Sequence, residues 1–208
     1  MLSKLEPAPV TGEKHYWDQG FDWVAGTDEV GRGPIAGPVV AAAVILPTGS
    51  GPLKGVLDSK RLSRGTLKSA VESIKEIAVA WAVQESSPEE IDSINILQAS
   101  LLAMKRSIDA LETKPMVVLI DGNKAIPGVS IPQETMVKGD SRSASIAAAS
   151  ILAKDYRDTL MERYHEQYPE YGWNKNKGYP SKGHLEAVRL HGTTPIHRLS
   201  FGPCRGQD

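Results

Sequence analysis

The chain has 208 residues, 40% of them hydrophobic, which is enough to bury one substantial core, and a single domain is expected. Its formal net charge of -1 argues against a surface that binds polyanions over its whole area. The single cysteine, Cys204, excludes an internal disulfide framework or a multi-cysteine zinc site, and it is read as incidental rather than as a nucleophile.

No apolar run approaches a membrane span, and the polar start Met1-Leu2-Ser3-Lys4-Leu5-Glu6-Pro7 lacks a signal peptide's apolar core, so a cytoplasmic protein is expected. In chain order, Trp23-Val24-Ala25-Gly26 reads as a short strand giving way to a turn at Asp28-Glu29. Val39 to Leu46 reads as a second strand, ended by Pro47 and the loop Gly49-Ser50-Gly51-Pro52. Ser63 is a candidate cap for a helix carrying Leu67, Val71, Ile74 and Ile77, and Val79 to Val83 is a third strand. Ser87-Pro88-Glu89-Glu90 has the capping-box pattern, with proline at the first helical position, and opens a helical stretch through Ile94, Leu97, Leu101, Met104 and Ile108. Met116 to Ile120 reads as a buried strand ended by Asp121-Gly122, and Glu134 to Val137 as a further short strand leading to Asp140. From Ser143 a helix is expected to about Gln167, with Ile146, Ala149, Ala153, Tyr156, Leu160 and Tyr164 on one face. A last helix begins at Ser181 and ends before Gly192. Strands and helices alternating in this way imply an α/β fold, a mixed sheet flanked by helices. The chain before about His15 and after about Phe201 is expected to be loose.

The most informative stretch is Thr27-Asp28-Glu29-Val30-Gly31-Arg32-Gly33-Pro34. Two carboxylates beside flexible backbone and an arginine suit a divalent metal facing a phosphate, since Mg²⁺ and Mn²⁺ take oxygen ligands and leave positions to water and substrate. The glycines would let backbone amides approach an anion or sugar where a β-carbon would stand in the way. An acidic dipeptide alone is most often solvated turn chemistry. Asp121, released at the carboxyl end of a buried strand, and Asp140, just before a long helix, strengthen the metal reading. The plain structural reading of Asp140 is a turn residue, with Ser143 as the N-cap. Adjacent side chains on an ideal strand face opposite ways, so Asp28 and Glu29 reach one point only if the strand has ended or kinked, and Glu29 is expected to contribute partly through its backbone carbonyl.

Between Tyr171 and Gly206 lie Lys175, Lys177, Lys182, Arg189, Arg198 and Arg205 against one acid, Glu186. Interleaved with Trp173, Tyr179 and His184, this region could track a phosphate backbone and offer an aromatic face to a sugar or base; the alternative is a merely soluble basic surface.

The chain resembles ribonuclease HII, the type 2 ribonuclease H of bacteria. The matching residues are Asp28 to Val39, Leu57-Asp58-Ser59-Lys60, Asp121-Gly122, Gly139-Asp140, Ser145 to Lys154, Gly178-Tyr179, His184 and Pro195-Ile196-His197-Arg198 followed by Ser200-Phe201. Ser181 and Leu199 depart from the family pattern, which bears on secondary phosphate contacts and not on the metal site. The resemblance implies a ribonuclease H-like fold with a helical C-terminal extension: an N-terminal extension over 1–22, a catalytic domain over 23–201 and a tail over 202–208. It further implies Asp28, Glu29, Asp121 and Asp140 as catalytic metal ligands, with two ions, Mn²⁺ or Mg²⁺. Gly31, Arg32 and Gly33 would read a 2′-hydroxyl, and Tyr179 would pack on the adjoining deoxyribose; the alternatives are glycines that only form a turn and a Tyr179 that is a core or rim aromatic. Lys60 would hold a phosphate or be a solvated loop charge, and His184 would assist near the site or cap local structure. Gly33 is expected to need a bare backbone, so that a β-carbon there obstructs close approach or the turn.

By the same resemblance the substrates are RNA–DNA hybrids and duplex DNA carrying single ribonucleotides, cut on the 5′ side to leave 3′-hydroxyl and 5′-phosphate ends, by a monomer. Two neighbouring divalent ions can activate a water and stabilise the leaving oxygen, so no side-chain nucleophile is required. Two competing classes are a nucleotide-binding module, because Gly31-Arg32-Gly33 and Gly37 superficially form a glycine-rich loop, and a nucleic-acid-binding protein without catalysis. The first needs a helix directly after the loop, where Pro38 and an apolar run indicate a hairpin; the second would have lost carboxylates that are all present.

Overall fold

The structure is a computed structural model that describes residues 8–53 and 64–206. Lys60, the rest of Leu57-Asp58-Ser59 and the Ser63 cap lie outside the described residues. Helix α1 (Thr11–Trp17) leads into β1 (Val24–Val30), which forms an antiparallel pair with β2 (Val39–Ile45). Helix α2 (Arg64–Ile77) connects to β3 (Ala80–Ser86), and α3 (Pro88–Asp109) to β4 (Val117–Asp121) and β5 (Gln133–Met136). Then come α4 (Ala144–Gln167), the short α5 (Trp173–Asn176) and α6 (Lys182–His191). The strand order is β3-β2-β1-β4-β5, with β1, β4 and β5 parallel and β2 antiparallel to both its neighbours. This is the expected mixed sheet flanked by helices, with a helical C-terminal extension.

Strand pleating sorts the sheet's side chains into two cores. Val40, Ala42 and Val44 of β2 pack with Leu67, Val71 and Ile74 of α2 and with Ala148, Ile151 and Leu152 of α4. On the opposite face Ala41, Ala43 and Ile45 join Ala25, Val118 and Ile120 against Leu101, Met104 and Ile108 of α3. The C-terminal elements make a third cluster, in which Trp173, Tyr171 and Val188 close over Ile35, Ala36 and Met161.

Local chemistry explains the element ends. Ser87 accepts from the Glu90 amide while the Glu90 carboxylate accepts from the Ser87 amide, completing the predicted capping box. Ser143 caps α4 and Ser181 caps α6 through the amides three residues on. Within α3 the backbone departs from helix at Asn95 (φ 65°), whose side chain accepts from Leu97 and Gln98 and restarts the helix.

Three expectations are corrected. Strand β1 does not stop before the acids but runs through Asp28 and Glu29 to Val30, because β2 pairs with it along that length. The buried side of α4 runs through Ala149, Ala153, Arg157 and Met161, while Tyr156 is exposed. The N-terminal segment from Ala8 is docked rather than loose: Glu13 is fully buried, and its carboxylate accepts from the Ser143 hydroxyl at 2.6 Å and the Ser145 amide at 2.7 Å. At the other end Cys204 is buried, and burial pushes its thiol up to about 11, as an inert core residue requires.

Candidate active site

Asp28, Glu29, Asp121 and Asp140 border one open cavity of about 430 Å³, together with Ser150, Lys154, Lys175 and Tyr179. Parallel pairing of β1 and β4 at the centre of the sheet brings the Asp28 and Asp121 ends side by side. Asp140 arrives in a single 3₁₀ turn, Gly139–Ser141, entered through Lys138 in a left-handed conformation (φ 57°). The Gly139 amide donates to Asp121 Oδ1 at 2.7 Å, so the Asp140 turn is tied directly to the acid at the end of β4.

Pleating puts Asp28 and Glu29 on opposite faces of β1 even though both reach the cavity. Asp28 is hydrogen-bonded to Ser150 of α4. Glu29 stands on the α3 side with Ser100 and Leu101, and Arg32 Nη1 donates to its Oε1 at 3.1 Å. The charge of Asp121 acts on both acids. Burial first, and then the charges of Glu29 and Asp121, push the Asp28 carboxyl well above its ordinary range. Burial also raises Glu29, against the pull of Arg32.

The donors fit a hard divalent ion. All four are carboxylates, and Glu29 Oε2 is buried with no hydrogen-bond partner, an arrangement that costs free energy unless a cation answers it. Among the described residues no three acids, histidines or cysteines converge into a ready-made cage. The acids instead line an open cavity, which suits ions that keep positions for water and phosphate.

The substrate-reading candidates divide. Tyr179 is 49% exposed and lies on the cavity wall, and its ring Cε1 is 3.4 Å from where a β-carbon on Gly33 would sit. Gly31 has φ +92°, and a β-carbon there would overlap Arg157; Gly33 has neither constraint. The bare-backbone requirement therefore belongs to Gly31. His184 is fully buried and stands behind the site: Trp173 Nε1 donates to its Nε2, and its Nδ1 bonds the Tyr179 carbonyl at 2.9 Å. It therefore contacts the backbone of Tyr179 from behind the cavity wall.

The basic C-terminal surface is also smaller than its composition implied. Arg198 is buried, Lys177 pairs with Glu162, Arg189 pairs with Glu186, and Trp173 is wholly enclosed, so it offers no face to a base. Lys175 remains on the cavity wall. Arg157, which no local motif marks, also lines the cavity. Its one sequence signal is its place four residues after Ala153 and four before Met161, on the apolar stripe of α4.

The ribonuclease HII family model matches residues 25–204. The chain belongs to the ribonuclease HII family. It is 52% identical over 191 residues to the ribonuclease HII of Endomicrobium trichonymphae, covering 92% of this chain and 90% of that protein. It is 50% identical to that of Vibrio parahaemolyticus, covering 98% and 95%. Among solved structures it is similar to the ribonuclease H2 of Pyrococcus horikoshii, with TM-score 0.74, 27% identity and coverage of 88% and 95%. It is likewise similar to the ribonuclease HII of Archaeoglobus fulgidus in its complex with PCNA, with TM-score 0.67, 26% identity and coverage of 86% and 95%. Membership in the ribonuclease HII family makes the chain a nuclease of the ribonuclease H2 type. The glycine-rich segment after β1 feeds an antiparallel hairpin and no helix, which removes the nucleotide-binding alternative. Among the described residues no helix is long and apolar enough to cross a membrane.

Proposed function

We propose that this chain is an endoribonuclease that hydrolyses the RNA strand of RNA–DNA hybrids and incises duplex DNA on the 5′ side of a single embedded ribonucleotide, leaving 3′-hydroxyl and 5′-phosphate ends. Its role is ribonucleotide removal from DNA, as a cytoplasmic monomer. The observation that carries the reading is the meeting of four carboxylates and Tyr179 around one cavity, with Gly33 beside the Tyr179 ring, in a chain of the ribonuclease HII family.

Asp28, Glu29, Asp121 and Asp140 would hold two divalent ions, Mg²⁺ or Mn²⁺. When bound, the ions supply an activated water and charge stabilisation at the leaving oxygen. Lys175 on the cavity wall favours the approach of a phosphate backbone, whereas Lys154 beside it is paired with Asp158 at 2.8 Å. The backbone at Gly31, Arg32 and Gly33 binds the ribose 2′-hydroxyl, the group that distinguishes RNA from DNA at a given position. Tyr179, half exposed beside Gly33, packs on the next sugar and is selective for its missing hydroxyl.

The test is multiple-turnover cleavage of a uniform RNA–DNA hybrid by wild type, Asp28→Asn and Asp121→Asn at saturating Mg²⁺ or Mn²⁺. Each substitution is expected to lower the rate on the order of a thousandfold, since metal-held charge contributes several kcal/mol of transition-state stabilisation. Near-normal turnover in either variant would remove that residue from the metal site. A wild-type protein that binds the hybrid without cutting it would favour the non-catalytic reading.

A further inference from the structure

Arg157 and Arg198 are both buried, and among the described residues neither guanidinium is hydrogen-bonded to a carboxylate. Each instead donates to three backbone carbonyls. Arg198 bonds Gly37 at 2.9 Å, Arg32 at 3.0 Å and Gly31 at 2.6 Å, all in the segment that follows β1. Arg157 bonds Pro38 at 3.0 Å and Ala36 at 3.1 Å in the same segment, but its third bond, at 2.9 Å, goes to Lys177, two residues before Tyr179.

A buried charge is tolerated only where strong hydrogen bonds replace its water, and the planar guanidinium fork fixes the positions of the groups it bonds. Burial pushes Arg157 down to about 10 and Arg198 down to about 9, so both remain charged at neutral pH. The two forks do different work. Arg198 shapes one segment internally, whereas Arg157 joins two. The junction it spans is tight: the Ile35 amide donates to the Gly178 carbonyl at 2.9 Å, and a β-carbon on Gly178 (φ +85°) would overlap the Ala36 carbonyl.

We propose that Arg157 is a positioning residue that sets the spacing between the Gly31–Gly33 segment and Tyr179, and through it the preference for an RNA–DNA junction over a continuous hybrid. The proposal rests on the functional reading above, in which those two elements contact successive sugars. A junction needs both contacts at the correct separation. A continuous hybrid presents a 2′-hydroxyl to Tyr179 in any case and has less to lose.

The experiment compares kcat/KM on a duplex with one embedded ribonucleotide and on a uniform hybrid, at fixed salt and metal, for wild type, Arg157→Lys, Arg198→Lys and Gly178→Ala. Lysine keeps the charge and loses the three-carbonyl fork. The junction-to-hybrid ratio is expected to fall on the order of tenfold in Arg157→Lys and Gly178→Ala, because a small misplacement of a binding group is enough for such a loss. Arg198→Lys should lower both rates and keep the ratio. An unchanged ratio in Arg157→Lys, or an equal fall in Arg198→Lys, overturns the proposal. If Arg157→Lys does not fold, the ratio in Gly178→Ala decides it by the same criterion. A wild type that cuts neither substrate, or shows no junction preference, overturns the functional reading and this proposal with it, whereas a wild-type preference that Arg157→Lys retains overturns the proposal alone.

Discussion

At the scale of single residues, the histidine pair behind Tyr179 gives a proton-linked outcome. The Thr194 amide donates to His197 Nδ1, which leaves the His197 proton on Nε2, 3.1 Å from His184 Nε2. That same His184 nitrogen accepts from Trp173, so its proton sits on Nδ1 and is donated to the Tyr179 carbonyl. A further proton on either ring would turn an acceptor toward a donor. Burial lowers His184, and burial plus His184 lower His197 from 6.5 to about 4. With folded values below the unfolded value, the unfolded chain binds more protons in this window; the contribution to stability is fully present above pH about 6.5 and is lost as pH falls toward 4. Thermal midpoints measured across that range should decline in wild type and decline less steeply in His197→Gln; parallel slopes would show that His197 does not carry the effect. The glycines give a second contrast. Gly31→Ala should reduce cleavage and stability far more than Gly33→Ala, because Gly31 combines φ +92° with overlap on Arg157 and Gly33 has neither. Similar losses at the two positions, in activity and in denaturant midpoint, would contradict that assignment. Of these residues, Asp28, Glu29 and Asp121 were legible because acids interrupting apolar strand patterns are chemically conspicuous. Arg157 was not, since a lone arginine on a helix ordinarily signals an exposed face.

At the scale of elements, the site depends on how closely α4 lies on β1. A β-carbon at Gly26 would overlap the backbone of Ser145 and Ile146, so strand and helix touch main chain to main chain two residues before Asp28. Gly26→Ala is expected to cost about 3 kcal/mol or more, or to prevent folding, because neither backbone can move aside without displacing the other. A denaturant midpoint within error of wild type would contradict this close approach. Helix α1 holds the same end of α4 from outside the family match, through Glu13 on Ser143 and Ser145. Glu13→Ala should cost about 1–3 kcal/mol in unfolding free energy by leaving a buried hydroxyl and amide unanswered. An unchanged midpoint would mean that water replaces the carboxylate there. The capping box at Ser87 and the serine caps of α4 and α6 could be read directly, because each is a short-range code. The docking of α1 could not, since Glu13 meets its partners across 130 residues of sequence.

At the scale of the whole molecule, alternating strands and helices were enough to indicate a mixed sheet, but the order β3-β2-β1-β4-β5 depends on which strands meet across long connections. That order places Asp28 and Asp121 on neighbouring central strands, with Asp140 delivered after the edge strand β5. The basic C-terminal composition proved a poor guide, because Arg198 holds the fold together and Lys177 and Arg189 are paired with acids. The whole arrangement serves one claim, that this cavity cuts beside a ribonucleotide within DNA using metal held by its carboxylates. The most direct measurement is product mapping on a DNA duplex with one embedded ribonucleotide, incubated with purified protein in the presence of Mg²⁺ or Mn²⁺ and in the presence of a chelator. A single incision on the 5′ side of the ribonucleotide, with 3′-hydroxyl and 5′-phosphate ends, is expected only when metal is supplied. Incision on the 3′ side, cutting that survives chelation, or an intact duplex in saturating metal would contradict the claim.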